Sequence, residues 1–463
     1  MADEGGRPAR LKPSWPGLTG LTRPFPRTQR RRDGRVRPGH DGGNEASGGI
    51  FALLSSPTFL RLWAIGGCVN TMRWFEVLSA ALFTLDATGS GLAVAVVSAA
   101  RTLPMLLLGA FAGVMSEAVN RKRVLLIGQI VSGLASAAVA VLAVFGIARP
   151  WHVGVAALVA GTVWSTEMST RRRMVGECVE GALVPRALAL DTVTNSITRL
   201  IGPITAGAAY QTIGLAGAYT VSACVYLVAV FLVAGLAYQQ TSRRIVLANV
   251  PHDLAEAFAF ARGHLIIGGV LAVTIAMNLL GFCYSALVAP LGRQVFLVSP
   301  TLTGALAGAE SFGALLGGLW LTGRDSRLSG RTLMVGGSLL FLVCVTLMPL
   351  APTFALACAL LVTGGIGSAA FANMQTSLIV LHAPPHIRSR LMGLLTVCIG
   401  MGPLGILLIG FLADRFGPLL AVDIMALAGL VAVSAIGLVW RRNDLRQSMI
   451  TNADRQPSLA AKD

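Results

Sequence analysis

Among the ionisable residues inside long apolar runs of this chain are Arg73, Glu76, Arg101, Glu167, Arg199 and Glu310. A charge at the centre of a helix in hydrocarbon costs about 2.5–3.5 kcal/mol, so each must be shielded or used. The chemistry open to them is proton exchange and ion pairing. A carboxylate among apolar groups exchanges a proton close to neutral pH, whereas a guanidinium stays charged and holds an anion. Arg73 and Glu76, in NTMRWFEVLSAALF at 70–83, are three residues apart, so one helix face carries both and they can partly neutralise each other. Glu310 lies between AGA and SFG with no cation nearby in sequence. Glu76 and Glu310 are therefore the candidate proton-coupling residues. Arg73, Arg101 and Arg199 are candidates for tuning cavity charge or binding substrate. The alternative for each is a static buried pair that holds helices in register. Glu167 comes late in its run, close to where the helix reaches the interface. Asn70, Asn195, Asn278, Asn373 and Gln375 are further substrate candidates, although such amides more often link helices to one another. Trp74, Phe75, Phe282, Tyr284 and Phe312 are candidates for an apolar cavity wall, with packing or lipid contact as the ordinary alternative.

The elements that must position these side chains follow from composition. The chain has 463 residues, 54% hydrophobic and 13% charged, with a mean hydropathy of +0.70. A soluble chain carries about 25% charged residues. With 53 glycines, this composition matches helices that cross a bilayer and pack through small residues. Twelve runs are long enough to span: 62–83, 91–115, 122–146, 151–170, 187–213, 216–238, 265–290, 302–322, 332–351, 354–382, 389–412 and 418–440. The fourth and fifth are the least clean. Residues 1–49, rich in Pro, Gly and Arg, read as a disordered basic cytoplasmic tail, and 441–463 as a second tail. Between runs six and seven, the linker 241–263 contains DLAEAFAFAR, whose apolar spacing predicts a short amphipathic helix at the membrane surface.

The net charge of +16 invites a nucleic-acid reading, but the placement of the charges opposes it. Every second connection is basic: Arg121, Lys122 and Arg123; then Arg171, Arg172, Arg173 and Arg186; then Arg243, Arg244 and Arg262; then Arg324, Arg327 and Arg331; then Arg388 and Arg390. The intervening connections hold only Arg149, Arg293 and Arg415. By the positive-inside rule both termini are expected in the cytoplasm, with the basic excess topological. An internal repeat supports two six-helix halves: Pro185 and Gly202-Pro203 recur as Pro385 and Gly402-Pro403, and Gly207 and Gly214 match Gly410 and Gly417 after a three-residue slip.

No G-x-x-x-x-G-K-[ST] loop, HExxH helix or Cys/His cluster is present, and the seven cysteines form no CxxC pair. Gly364-Gly365-Ile366-Gly367 sits inside an apolar run and reads as helix packing. No enzyme, cofactor or metal is expected.

GAFAGVMSEAVNRKRVLL at 109–126 is similar to the loop signature of the major facilitator superfamily, G-x-x-x-D-R-x-G-R-[RK]. Gly113 fills the first glycine, Glu117 the acid, and Arg121 and Lys122 the basic end; Ala118 and Asn120 depart from the pattern. In the family this loop latches the two halves on the cytoplasmic side, a role the resemblance implies for these four residues; plain interfacial charge is the alternative. GLWLTGRDSRLSGR at 318–331 is its degenerate counterpart, and GFLADRFG at 410–417 reads as the family's usual end to the eleventh span. Three further stretches resemble the enterobactin-exporter-like group and its drug-efflux relatives: S-x-T-F-x-R-L-W at 56–63, L-P-M-L-L-L-G-A-F-A-G at 103–113, and L-V-P-R-A-L-A-L with the following G-P at 183–203.

The resemblance implies an all-α membrane protein of twelve transmembrane helices in two pseudo-symmetric six-helix bundles, 50–240 and 264–440. The expected function is proton-coupled export of a small hydrophobic or amphipathic molecule, a drug or siderophore, by alternating access from a monomer in the inner membrane. Its partners are then that substrate, protons and lipid, with no nucleic acid. Uptake of a nutrient or metabolite is the rival within transport, and a non-transporting receptor or scaffold the rival outside it.

Overall fold

The computed structural model describes residues 53–118, 120–179, 181–238, 250–322 and 329–455, with side chains described for these stretches apart from 110–118, 250–251, 322 and 444–455. The first tail and residues 241–249 of the linker therefore lie outside the described residues.

The first helix, α1 (Pro57–Thr88), starts where Ser56 accepts a hydrogen bond from the Phe59 amide and Pro57 pre-sets the first turn. It ends at Gly89, whose left-handed φ of 66° lets its amide reach the Leu85 carbonyl at 2.7 Å. There follow α2 (Gly91–Ala118), α3 (Arg121–Val144) capped by Asn120, and α4 (Pro150–Glu177). A single helical stretch, Val184–Ala234, breaks at Gly214 (φ 65°), giving α5 (184–213) and α6 (215–234). The amphipathic linker helix α7 (Val250–Gly263) buries Ala257 and Ala261 and exposes Phe258. In the second half, α8 (Leu265–Val295), α9 (Pro300–Thr322), α10 (Gly330–Leu347), α11 (Phe354–His382), α12 (Arg388–Phe416) and α13 (Pro418–Arg455) complete the chain.

Among the described residues nine segments are long and apolar enough to cross a membrane. One of them holds both α5 and α6. The long helices α1 and α4 fall outside the nine; both carry the charges noted in the sequence, Arg73 and Glu76 in α1 and Glu167 and Arg171 in α4. With these two, the helices occupy all twelve expected runs. The main differences are at the ends. α4 runs to Glu177, so Arg171 is not a loop residue but a buried helical one, paired with Asp191 of α5. α13 continues beyond residue 440 to Arg455 rather than giving way to a tail.

Among the described residues, buried apolar side chains form one core built mainly from residues 257–440 and two in the first half, a larger one mainly from 53–236 and a smaller one from 80–219. The outward surface is apolar as well: Leu134, Phe231, Leu319 and Val431 are all more than half exposed. A water-facing surface would not carry such side chains contiguously, whereas a lipid-facing one must.

The sequence repeat has a geometric meaning. A Cβ on Gly207 (α5) would lie 2.1 Å from the Pro300 carbonyl of α9, and one on Gly410 (α12) 2.2 Å from the Ala95 side chain of α2. Each half thus sends one glycine-bearing helix across a helix of the other. Gly214 and Gly417 both have positive φ, 65° and 86°, and end the helix after each crossing.

Candidate functional site: a charged cavity between the halves

Where the halves meet, a cavity of about 180 Å³ is walled by Arg73 and Glu76 of α1, Arg101 of α2, Trp164 of α4, Arg199 of α5, Tyr219 of α6, Tyr284 of α8, Glu310 of α9 and Ile406 of α12. All five charges picked from the sequence as proton-coupling or cavity residues therefore converge on one space. Drug-sized ligands fill roughly 300–1,000 Å³, so this space is contracted and a larger occupant requires the halves to part.

Arg73 and Glu76 do not neutralise each other as the helical spacing suggested. Glu76 is 4% exposed and takes a hydrogen bond from Arg101 Nη1 at 3.1 Å, one from Ser136 Oγ at 2.6 Å and one from Ser222 Oγ. Three helices thus satisfy one carboxylate, which buried ionised groups need. Arg73 instead lays its guanidinium over the Trp164 ring at 3.5 Å and beside Trp74 at 4.8 Å. A desolvated cation on an indole face gains about 2 kcal/mol, enough to turn the side chain away from an acid already committed elsewhere.

Glu310, with no cation near in sequence, finds one across the cavity. Arg199 Nη2 of the other half lies 3.1 Å from its Oε1, Tyr284 donates to Oε2 at 2.8 Å, and Ser368 Oγ to Oε1 at 3.3 Å. Tyr284 is placed by an irregular stretch of α8, where π-type turns at Met277–Gly281 and Leu291–Val295 flank a 3-10 turn at Phe282–Leu287. Broken backbone of this kind is tolerated at membrane depth where it lines a cavity.

A smaller cavity of about 50 Å³ adjoins on the first half. Asn70, Arg73, Trp164, Glu167, Asp191 and Asn195 are among its lining residues, so Arg73 faces both spaces. Glu167 is 5% exposed and buried within the bundle rather than at its surface.

The other amide candidates are elsewhere. Asn278 and Asn373 donate to carbonyls of their own helices, those of Thr274 and Ala369, and Gln375 accepts from Thr274 at 3.3 Å, tying α11 to α8. None of the three lines the central cavity. Of the aromatic candidates, Trp74 and Tyr284 do line it. Phe75 is buried packing, Phe282 stacks near Phe341 and Phe371, and Phe312 is 43% exposed. Trp164 and Tyr219 were missed; Trp164 shares a helical face with Glu167 and Arg171, three and seven residues on, which was the available signal.

For the expected latch, Gly113 and Glu117 fall where side chains are not described. Arg121 binds Glu177 and Tyr238, and Lys122 donates to the Ala234 and Leu236 carbonyls at 2.9 and 2.8 Å. These contacts join α3 to the ends of α4 and α6 within the first half, and the lysine meets the carbonyl end of α6, where a cation is favoured. Outside the span, the Tyr238 hydroxyl is pushed up to about 12 by burial, then by its hydrogen bond to Glu177. Burial alone pushes the Glu177 carboxyl up, but Tyr238 and Arg121 more than reverse this and leave it below the usual range.

Another contact that joins the halves comes from GFLADRFG. Asp414, at the end of α12, accepts from Ser90 Oγ at 2.7 Å and from the Leu92 amide at 3.0 Å, so it caps the first turn of α2. Thr301 of α9 likewise donates its hydroxyl to Gln211 of α5 at 2.8 Å, again between the halves. His252, Asp253 and Glu256 on α7 are grouped as metal-ligand types, but both acids there bind Arg390.

A family model described as transmembrane secretion effector matches residues 48–461. A curated relative, the multidrug efflux pump Tap of Mycolicibacterium fortuitum, is 27% identical over 365 residues, covering 75% of this chain and 88% of its own. Among solved structures, the nucleoside transporter NupG has a TM-score of 0.66 at 14% identity, covering 82% of this chain and 98% of its own. A bacterial homologue of the lysosomal transporter Spinster, inward-facing and unoccupied, has a TM-score of 0.62 at 14% identity, over 82% and 93%. These structural likenesses show the fold: an all-helical major facilitator architecture. With the family model spanning nearly the whole chain, the protein belongs to the transmembrane secretion effector family of major facilitator transporters.

Proposed function

We propose that this transporter exports a small hydrophobic or amphipathic molecule in exchange for protons, across the inner membrane and with both termini in the cytoplasm. The observation that carries the reading is the pair Glu310–Arg199: a carboxylate of the second half held by a guanidinium of the first, at 3.1 Å, in the wall of the shared cavity. A proton delivered to Glu310 removes the charge that holds the halves together there. Glu76, held by Arg101 within the first half, is the second coupling candidate. Bundles 50–240 and 264–440 then rock about the cavity, and the latch residues Glu117, Arg121 and Lys122 act when the cytoplasmic side closes. The multidrug efflux relative favours export of a drug-like cargo. Uptake of a metabolite is the second reading. A nucleoside transporter and a transporter solved with 5-aminolevulinic acid share this fold.

Proteoliposomes with an imposed pH gradient decide between them. Export predicts that an entrapped or membrane-loaded dye moves against the inward flow of protons and that protonophore stops it. Accumulation in the same direction as the protons supports uptake, and indifference of all fluxes to the gradient removes proton coupling altogether.

A further inference from the structure

We infer that the central cavity takes a molecule bearing one anionic group, a carboxylate, sulfonate or phosphate, on an aromatic or otherwise apolar body, with Arg73 as its counter-charge. The inference rests on that cavity being the substrate site. Three guanidiniums, Arg73, Arg101 and Arg199, face two carboxylates, Glu76 and Glu310. Both carboxylates are occupied, each by one guanidinium and two hydroxyls. A cationic ligand would have to break one of those sets. Arg73 is the remainder: among the described residues it makes no hydrogen bond or ion pair, only its contacts with the Trp164 and Trp74 rings. Glu167 shares the smaller cavity with Arg73 and attracts it through space, but the two form no ion pair within 4 Å, so the guanidinium keeps its hydrogen-bonding groups for a ligand.

The unmet hydrogen-bonding groups of the wall point the same way. Among the described residues, Trp74 Nε1 and Arg101 Nε are buried without a hydrogen-bond partner, and both are donors. A wall whose spare groups are donors and whose spare charge is positive complements an acceptor-rich anion. The indoles of Trp74 and Trp164 with Tyr219 and Tyr284 supply flat apolar surface for the remainder of the molecule. An inside-negative membrane potential drives such an anion outward, so its charge assists export.

The test uses the full-length protein in nanodiscs of phosphatidylcholine, at neutral pH and without a gradient. Naphthoate, naphthamide and naphthylmethylammonium share one ring system and differ in charge, and their binding is read by calorimetry and by quenching of tryptophan fluorescence. Naphthoate is expected to bind at least about tenfold tighter than either analogue. Arg73→Gln should abolish that preference, bringing naphthoate and naphthamide to similar affinity, and Arg73→Lys, which keeps the charge, should retain part of it. The inference is overturned if the ammonium probe binds as tightly as naphthoate, if naphthoate does not bind, or if the preference survives in Arg73→Gln. Proton coupling is read separately, from gradient-driven dye flux in proteoliposomes. Flux of a cationic dye alone would sink the anion assignment and leave the pump standing, whereas anion binding without gradient response would do the reverse.

Discussion

Replacing Glu310 by Gln keeps the size of the side chain and removes its charge. The carboxylate is 4% exposed and Arg199 36% exposed. Removing one partner of a fully buried pair costs about 3–5 kcal/mol. Arg199 can rehydrate in the cavity, and the Gln carbonyl can still accept from Tyr284, which brings the figure down to about 2 kcal/mol. The pair joins the two halves, so this energy weights the balance between the clamped and parted arrangements. At RT of about 0.6 kcal/mol it amounts to roughly a 30-fold shift towards the parted state. Double electron–electron resonance between spin labels at Ala87 and Leu350, one on each half, would read that shift as a broader or longer distance distribution. Wild-type distances should move in the same direction on acidification, and Glu310→Gln distances should no longer respond. Gradient-driven transport should fall at least about tenfold with insertion unchanged. Wild-type distances, pH response and flux in Glu310→Gln together would refute the bridge as the coupling element.

Loss of the cap in Asp414→Ala should cost about 1 kcal/mol, or about a fivefold shift towards separation of α2 from α12; the same resonance measurement checks it, and unaltered distances would remove this contact from the gate. Arg171→Leu leaves Asp191 buried and alone, which should lower stability by about 3–5 kcal/mol, seen as loss of monodisperse protein on heating in detergent. Arg171→Leu with Asp191→Leu should recover most of it, and a double variant as poor as the single would contradict the ion-pair account. Glu177, whose carboxyl sits below its ordinary range in the fold, contributes stability that is present at neutral pH and lost as the pH falls through its folded value. Glu177→Gln should therefore melt slightly below wild type at neutral pH, by under about 1 kcal/mol because the acid is 45% exposed, with the gap closing in acid.

Much of the architecture was legible because it depends on chain-local quantities. Run lengths, alternating basic connections and the repeated Gly-Pro spacing needed no knowledge of contacts, since bilayer thickness and charge transfer act on each segment by itself. Buried charges were legible for the same reason: Arg73, Glu76, Arg101, Arg199 and Glu310 are conspicuous in any apolar run. What each charge does was not. Spacing along α1 favoured an Arg73–Glu76 pair, yet Arg101, Ser136 and Ser222 hold Glu76 and Trp164 holds Arg73. Asn278, Asn373 and Gln375 looked like substrate contacts and instead serve the helices. GFLADRFG reads locally as a helix end, yet its aspartate caps a helix of the opposite half.

The sequence by itself determined that the chain crosses a membrane twelve times in two related halves and buries ionisable groups. Each of those properties is set segment by segment through hydrophobic transfer energies. Only the tertiary structure decided which acid meets which base, which aromatic rings wall the cavity, and that Glu310 is held from the other side. The Arg199–Glu310 pair joins residues 111 positions apart, and the cavity wall draws on residues from Arg73 to Ile406, brought together where glycines let helices of the two halves cross. Their partners are fixed by the packing, and no local spacing encodes it.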